Sequence, residues 1–203
     1  MSVTVEFHYD FGSPNTYYCH RVIPEIERRT GVRFKYTPVL LGGIFRSTNN
    51  IPPIQQFAEV KNKLEYHALE TARFVKKHDI DKFVFNPAFP VNTLLLMRGA
   101  IFASDKEYYE KYIEASYQGM WELGLDMSKP DLAGKHLSES GLPAEEILSS
   151  TQSPDVKQQL IDSTALSVEK GNFGSPTFFV GNEMFFGKDR LYDVEEEIIK
   201  QLG

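Results

Sequence analysis

Strand-like sequence is confined to the two ends of the chain, and that distribution most restricts what it can fold into. Val3 to Tyr9 alternates, with Val3, Val5, Phe7 and Tyr9 on one face, as a strand requires. A helical pattern follows from about Asn15 to Arg29, with Tyr18, Val22, Ile23 and Ile26 at helical spacing, and Gly31 stops it. Pro24 inside this stretch is expected to kink the helix. Val32 to Val39 reads as a second strand, which completes a β-α-β opening. Near the other end, about Asp155 to Gly171 is helical. Thr177–Val180 and Glu183–Phe186 flank a Gly181-Asn182 turn, and a last helix begins at about Asp189.

Between these ends the pattern is helical, at about 55–77, 90–103, 106–123, 130–140 and 143–150. The run from Gly42 to Pro53 clusters Gly, Asn and Pro and reads as a loop. Helices inserted into a split α/β domain explain this order better than two sequential domains. The expected division is a discontinuous α/β domain at 1–41 and 165–203, with an all-helical insertion at 42–164.

The formal charge of −6 and the lack of a long basic stretch argue against nucleic acid as a partner. No run reaches the roughly 18 apolar residues of a membrane span, and the first residues lack a signal-peptide pattern. Cys19 is the single cysteine. It rules out an internal disulfide and fits a reducing cytoplasm, so a cytoplasmic location is expected. Its place just inside the first helix suits a buried, small apolar residue. His8, His20, His67, His78 and His136 show no metal-ligand spacing, and no metal site is expected.

Three segments can carry chemistry. The first, Asp10 to Tyr17, runs from a strand end into a helix N-terminus, where free N–H groups favour an anion. Ser13, followed by Pro14, can cap that helix, or it can donate its hydroxyl hydrogen to a thiolate. The second, Phe173 to Val180, places Ser175 before Pro176 at a strand start. That peptide is a candidate cis bond, which would turn the Ser175 backbone outward to pair with an extended ligand. The third, Phe185 to Leu191, brings Gly187, Lys188, Asp189 and Arg190 to a helix start, where Asp189 can cap or accept bonds from an ammonium group.

Together the Asp-Phe-x-Ser-Pro turn, the Gly-x-Pro-Thr strand and the Phe-Gly-x-Asp-Arg-Leu start resemble the DsbA-like branch of the thioredoxin superfamily. Within it they resemble the kappa-class glutathione transferases and the 2-hydroxychromene-2-carboxylate isomerases. The redox relatives carry Cys-x-x-Cys where this chain has Ser13-Pro14-Asn15-Thr16, and disulfide exchange needs thiols. The resemblance implies a thioredoxin-like fold with a large helical insertion, glutathione as cofactor and a homodimer. It implies that Ser13 contacts the glutathione sulfur and that Ser175 and Pro176 pair with the cysteinyl part. The Gly187–Arg190 start, through Asp189 and Arg190, would hold the γ-glutamyl end. It also places Asn49, or alternatively Asn50, near the glutathione, and Lys63 or Lys61 at the glycine carboxylate.

Phe85 to Thr93, with Phe89 and Asn92, resembles the border of the isomerases' second-substrate pocket. Trp121, Tyr117 and Phe89 can form either a stacking wall or core. No arginine of the characterised isomerases aligns onto this segment, and Arg98 and Arg46 are substitutes that the resemblance does not assign. The implied reaction is isomerisation of an unsaturated aromatic keto-acid: thiolate addition, bond rotation and elimination. Conjugation of an electrophile, as in kappa-class transferases, is the alternative, and a non-catalytic thioredoxin-fold binding module is a third reading.

Overall fold

The structure is a computed structural model, and it describes residues 3–203. Strand β1 (Val5–Tyr9), helix α1 (Pro14–Thr30) and strand β2 (Phe34–Pro38) form the opening unit. Helices α2 (Leu41–Thr48), α3 (Pro53–Gln56), α4 (Lys63–Lys77), α5 (Leu94–Ala103), α6 (Tyr109–Trp121), α7 (Pro130–Glu139) and α8 (Ala144–Ser150) follow. Helix α9 (Pro154–Glu169), the hairpin β3 (Thr177–Val180) and β4 (Glu183–Phe186), a 3-10 turn (Lys188–Arg190) and α10 (Leu191–Leu202) complete the chain.

The sheet order is β2-β1-β3-β4. β1 lies parallel to β2 and antiparallel to β3, with Phe7 opposite Tyr36 on one side and Phe178 on the other. β4 closes the edge antiparallel to β3. A parallel neighbour needs a crossover, and α1 is that crossover. The sheet is thus mixed, and its two halves come from opposite ends of the chain.

The alternating residues Val5, Phe7 and Tyr9 are buried, as expected of one face. His8, on the opposite face, is also buried, because α9 covers that side. Its Nδ1 lies 2.7 Å from Ser167 Oγ on α9, and its Nε2 lies 2.7 Å from Glu6 Oε2, which also accepts from Lys170 Nζ at 2.8 Å. Burial pushes the His8 imidazole below its ordinary pKa. The rings of Phe7, Tyr9, Phe11, Tyr17 and Tyr117 form an aromatic core, which Phe83 links to Trp121. This core ties the sheet to α1 and α6 and carries the packing energy that the short strands alone lack.

Helix α1 continues through Pro24 as one element, ending where Gly31 adopts a left-handed φ of 72° and donates to Glu27 O. Arg21 on α1 pairs with Glu114 of α6 and with Glu122, the residue that caps α6, at 2.8 and 2.5 Å. His20 Nδ1 lies 2.8 Å from Tyr36 OH, and its Nε2 lies 3.0 Å from Glu114.

Two stretches depart from the sequence expectation. The Gly42–Pro53 run is not all loop: Leu41–Thr48 is helix α2. Its first turn is satisfied from afar, since Asp10 Oδ2 accepts from Leu41 N at 2.8 Å and Thr164 Oγ1 from Leu40 N at 3.0 Å. These tertiary caps, with burial of Ile44, override the weak helix propensity of Gly42 and Gly43. The expected helix at 55–77 is instead a single turn, α3, and a separate α4, with Asn62 in a left-handed conformation between them. Helix α9 crosses the expected domain boundary at 164–165. It is bonded to the sheet from its middle, where Ser163 Oγ donates to Pro38 O at 2.7 Å.

Candidate active site

The end of β1 and the start of α1 are shaped by Asp10. Its carboxylate is buried, with Oδ1 accepting from Gly12 N at 2.9 Å and from Thr93 Oγ1 at 2.6 Å, while Oδ2 accepts from Leu41 N. One side chain therefore binds the turn, the start of α2 and the start of α5 together. Burial raises the Asp10 pKa above its ordinary value even against these three donors. Thr16 Oγ1 closes the turn, lying 2.8 Å from Asp10 O and 2.7 Å from Ser13 O.

Ser13 occupies the N-cap position of α1, but its side chain makes no cap bond. The capping reading of its hydroxyl is corrected: Ser13 Oγ donates to the carbonyl of Ser175 at 3.1 Å, across 162 residues of sequence. Pro14 has no N–H, and the N–H of Asn15 forms no hydrogen bond among the described residues. The helix N-terminus thus offers an open donor beside the buried Ser13 hydroxyl.

The Ser175–Pro176 peptide is cis. Ser175 Oγ donates to His8 O at 3.1 Å, and the Ser175 N–H forms no bond among the described residues. Asn172 holds this turn in place. Its Oδ1 accepts from Gly174 N at 2.8 Å and from Thr177 Oγ1 at 2.9 Å, and its Nδ2 donates to Ser167 Oγ at 2.7 Å. Pro176 O accepts from Gly187 N at 3.0 Å, which brings the third segment to the second. Gly187 has φ 98° and ψ 156°, a backbone that side-chain-bearing residues avoid.

Lys188 is buried, with Nζ 5.1 Å from the centre of the Phe74 ring and 2.5 Å from Asp189 Oδ1. The Asp189 carboxylate itself is 73% exposed, so an internal cation fixes an acid that faces solvent. Arg190 points away from it, to Asp193 at 2.9 Å.

The remaining candidates divide. Asn49 caps α2 in a left-handed conformation, whereas Asn50 Nδ2 donates to Phe173 O at 2.8 Å and so reaches the Ser175 segment. Lys61 is exposed in the turn before α4. Lys63 is half-buried with Nζ 5.2 Å from the centre of the Phe57 ring. Neither lysine bonds to Ser13, Ser175 or Asp189. Trp121 and Tyr117 are fully buried, and Trp121 Nε1 donates to Phe11 O at 2.7 Å, so both are core. Phe89 and the exposed Phe85 lie about Trp121, with ring centres 6.2 and 6.1 Å away. Arg46 is exposed on α2, and Arg98 lies on α5.

Asp10, Thr93 and Asn172 were not singled out from sequence. Asp10 two residues before Gly12 is an Asx-turn pattern that could have flagged the first; the other two carry no local signal.

A family profile describing the DSBA-like thioredoxin domain matches residues 4–199. The chain belongs to the DSBA-like thioredoxin domain family. Among members of known name, it is 25% identical over 199 residues to a 2-hydroxychromene-2-carboxylate isomerase of Sphingobium xenophagum, covering 98% of this chain and 100% of that one. It is 24% identical over 200 residues to glutathione S-transferase kappa 1 of Rattus norvegicus, covering 92% and 87%. A solved 2-hydroxychromene-2-carboxylate isomerase superposes with a TM-score of 0.85 at 23% identity, over 98% of this chain and 96% of that one. A probable DsbA oxidoreductase of Streptomyces coelicolor shares the fold at a TM-score of 0.71 and 16% identity, covering 98% and 89%. Unlike a dithiol member of the family, this DSBA-like chain has one thiol, Cys19, buried and pushed well above its ordinary pKa by that burial.

Proposed function

We propose that this DSBA-like protein is a glutathione-dependent isomerase of the 2-hydroxychromene-2-carboxylate type. The supporting observation is the Ser13 Oγ–Ser175 O hydrogen bond. It joins a hydroxyl at a helix N-terminus to the cis-proline turn, where the Ser175 N–H has no partner among the described residues. A γ-glutamyl tripeptide fits that arrangement. Its cysteinyl amide would pair with Ser175 as a strand does, its ammonium end would meet the solvent-facing Asp189 carboxylate, and its sulfur would lie at Ser13 and the Asn15 N–H. Asn50, bonded to Phe173 O, would border the bound tripeptide.

Bound glutathione supplies a thiol nucleophile that adds reversibly to a conjugated carbon. The chain's part is electrostatic. The Ser13 hydroxyl has one hydrogen, now spent on the Ser175 carbonyl. When the Ser175 carbonyl accepts an amide N–H from a bound peptide, Ser13 turns its hydrogen to the sulfur and favours its ionised form. The dipole of α1 adds to that preference. Phe85 and Phe89, which lie about Trp121, would supply an aromatic wall for an unsaturated aromatic acid.

Millimolar glutathione should raise the melting temperature of the protein, and no shift would remove the basis of the reading. Conjugation is the second reading, favoured by the kappa-class relatives. A glutathione adduct that accumulates in proportion to substrate consumed selects it over isomerisation.

A further inference from the structure

The face of the sheet that α9 covers holds a polar chain buried away from any ligand. His8, Ser167 and Asn172 are nearly inaccessible, at 2%, 0% and 1% exposure. Ser167 Oγ lies 2.7 Å from His8 Nδ1 and 2.7 Å from Asn172 Nδ2. His8 Nε2 lies 2.7 Å from Glu6 Oε2, and Asn172 Oδ1 accepts from Gly174 N at 2.8 Å. The chain thus runs from the Glu6–Lys170 pair at the surface to the residue before Ser175.

Both ends fix the direction of these bonds. A backbone N–H only donates, so Asn172 presents Oδ1 to Gly174 and Nδ2 to Ser167. Ser167 therefore accepts from Asn172 and gives its one hydrogen to His8 Nδ1. From the other end, burial raises the Glu6 carboxyl, but Lys170 and His8 outweigh it and hold the group below its ordinary pKa. An ionised carboxylate only accepts, which puts the proton of neutral His8 on Nε2 and leaves Nδ1 as an acceptor. The two ends agree, and the whole chain is satisfied with His8 neutral.

A second proton would turn Nδ1 into a donor. Ser167 would then face donors on both sides, with its own hydrogen deprived of an acceptor in a fully buried site, which is costly. The Asn172 amide relieves this by turning over, and so takes Oδ1 away from Gly174 N. Thr177 Oγ1, which also bonds Asn172 Oδ1, has a second acceptor in Gly174 O at 3.0 Å. Gly174 N has no other acceptor among the described residues. The charged side chains about His8 pull both ways. Glu6 on its own strand favours the proton, whereas Lys170 at the end of α9 and Lys35 on β2, opposite Glu6 in register, oppose it. From β3 comes the uncharged ring of Phe179, at 4.8 Å.

We propose that His8, Ser167 and Asn172 are positioning residues of the Ser175–Pro176 turn, and that they hold it in its ligand-pairing form only while His8 is neutral. His8 is tied to the turn a second time, since its carbonyl accepts from Ser175 Oγ at 3.1 Å. Proton uptake by His8 frees Gly174 and loosens the backbone on which Ser175 presents its N–H and C=O. Burial places that uptake below the ordinary histidine range, so the turn is locked at neutral pH and released in acid. The inference rests on the glutathione reading only for the identity of the ligand.

The test follows the His8 ring nitrogens and the Gly174 amide by ¹H–¹⁵N NMR from about pH 8 to about pH 4, a range that brackets histidine titration, without any ligand. His8 should start as the Nε2–H tautomer, and the Gly174 amide proton should move upfield with the His8 midpoint as it loses its acceptor. Ser167→Ala should leave Gly174 unmoved while His8 still titrates, His8→Asn should abolish the step, and Ser167→Thr should keep it; either of the first two serves if the other does not fold. The affinity for S-methylglutathione, whose sulfur does not titrate, should fall about two- to tenfold through the same midpoint in wild type and Ser167→Thr. It should stay flat in Ser167→Ala and His8→Asn. An Nδ1–H tautomer, a Gly174 signal that ignores His8, or a step that survives Ser167→Ala or His8→Asn overturns the proposal. So does acid unfolding before His8 titrates, or an affinity loss shared by the variants, which would trace to Asp189 or to the ligand's own carboxylates. If S-methylglutathione binds at no pH, the glutathione reading falls, and the ligand-free resonances still decide the relay.

Discussion

The hydroxyl of Ser13 is bonded to the carbonyl of Ser175 at 3.1 Å, so the first turn of α1 and the cis-proline turn before β3 form one surface. The two residues lie in the two end segments of the chain, and each is set by its own scaffold. Asp10 and Thr16 hold the Ser13 turn, while Asn172 and Gly187 hold the Ser175 turn.

Ser13→Ala removes this bond and the donor proposed for the glutathione sulfur. Hydrogen bonds to a charged group contribute about 1.5–3 kcal/mol, which corresponds to roughly one to two pKa units. The thiol of bound glutathione should titrate that much higher by ultraviolet absorbance, and turnover should fall about ten- to a hundredfold. Folding stability should change by no more than about 1 kcal/mol, since a neutral bond is lost. Full activity in this variant would leave Ser13 with no role beyond the turn.

Asp10→Ala should destabilise the fold by about 2–4 kcal/mol in urea unfolding, because Gly12 N, Leu41 N and Thr93 Oγ1 lose their acceptor. The pH dependence has a definite sign. Burial raises the Asp10 pKa, so the native state binds its proton more tightly than the unfolded state does. Its contribution to stability is greatest below the ordinary carboxylate value and declines as pH rises through the folded value. Comparison of wild type with Asp10→Asn across that window should show this slope, and wild type gaining stability relative to the variant with rising pH would contradict it.

Glu114 gives the opposite slope. His20 and Arg21 hold its pKa down to about 2. Its stabilisation is present above the ordinary glutamate value and is lost as pH falls from there through about 2. The carboxylate is half exposed, so solvent screening limits the effect near neutrality to about 1 kcal/mol or less. Glu114→Gln should flatten the acid limb of the stability curve by that amount, measured by chemical unfolding at several pH values.

Cys19 should react with a thiol reagent only through opening of the native state. Its side chain is fully buried, and its pKa is raised. The modification rate should therefore fall as a stabilising ligand without a free thiol, such as S-methylglutathione, is added. Rapid labelling at native conditions, insensitive to ligand, would show the helix to be open there.

Gly187→Ala places a side chain at φ 98°, although no atom lies within 4 Å of the new Cβ. The cost is conformational, about 1–3 kcal/mol. It should appear both as a lower melting temperature and, through the Gly187–Pro176 bond, as weaker glutathione binding.

Strand and helix periodicity was sufficient to read β1, the β3–β4 hairpin and the helices from α5 to α9. Side-chain alternation and 3.6-residue spacing are local properties. The Ser-Pro, Gly-x-Pro-Thr and Asp-Arg motifs were likewise readable, because turn chemistry depends on neighbours in the chain. Helix α2 was not readable, since Asp10 and Thr164 satisfy its first turn across 31 and 124 residues.

Ser13 shows the division most directly. Sequence alone determined that a serine stands at a helix N-terminus where redox relatives carry a cysteine, and so excluded disulfide exchange at this turn. It left the hydroxyl either as a cap or as a donor to a ligand. Only the tertiary structure decided that the hydroxyl leaves its own helix and reaches Ser175. Hydrogen-bond partners at a fixed spacing belong to the local chain, whereas partners more than a hundred residues apart exist only once the sheet has joined the two ends.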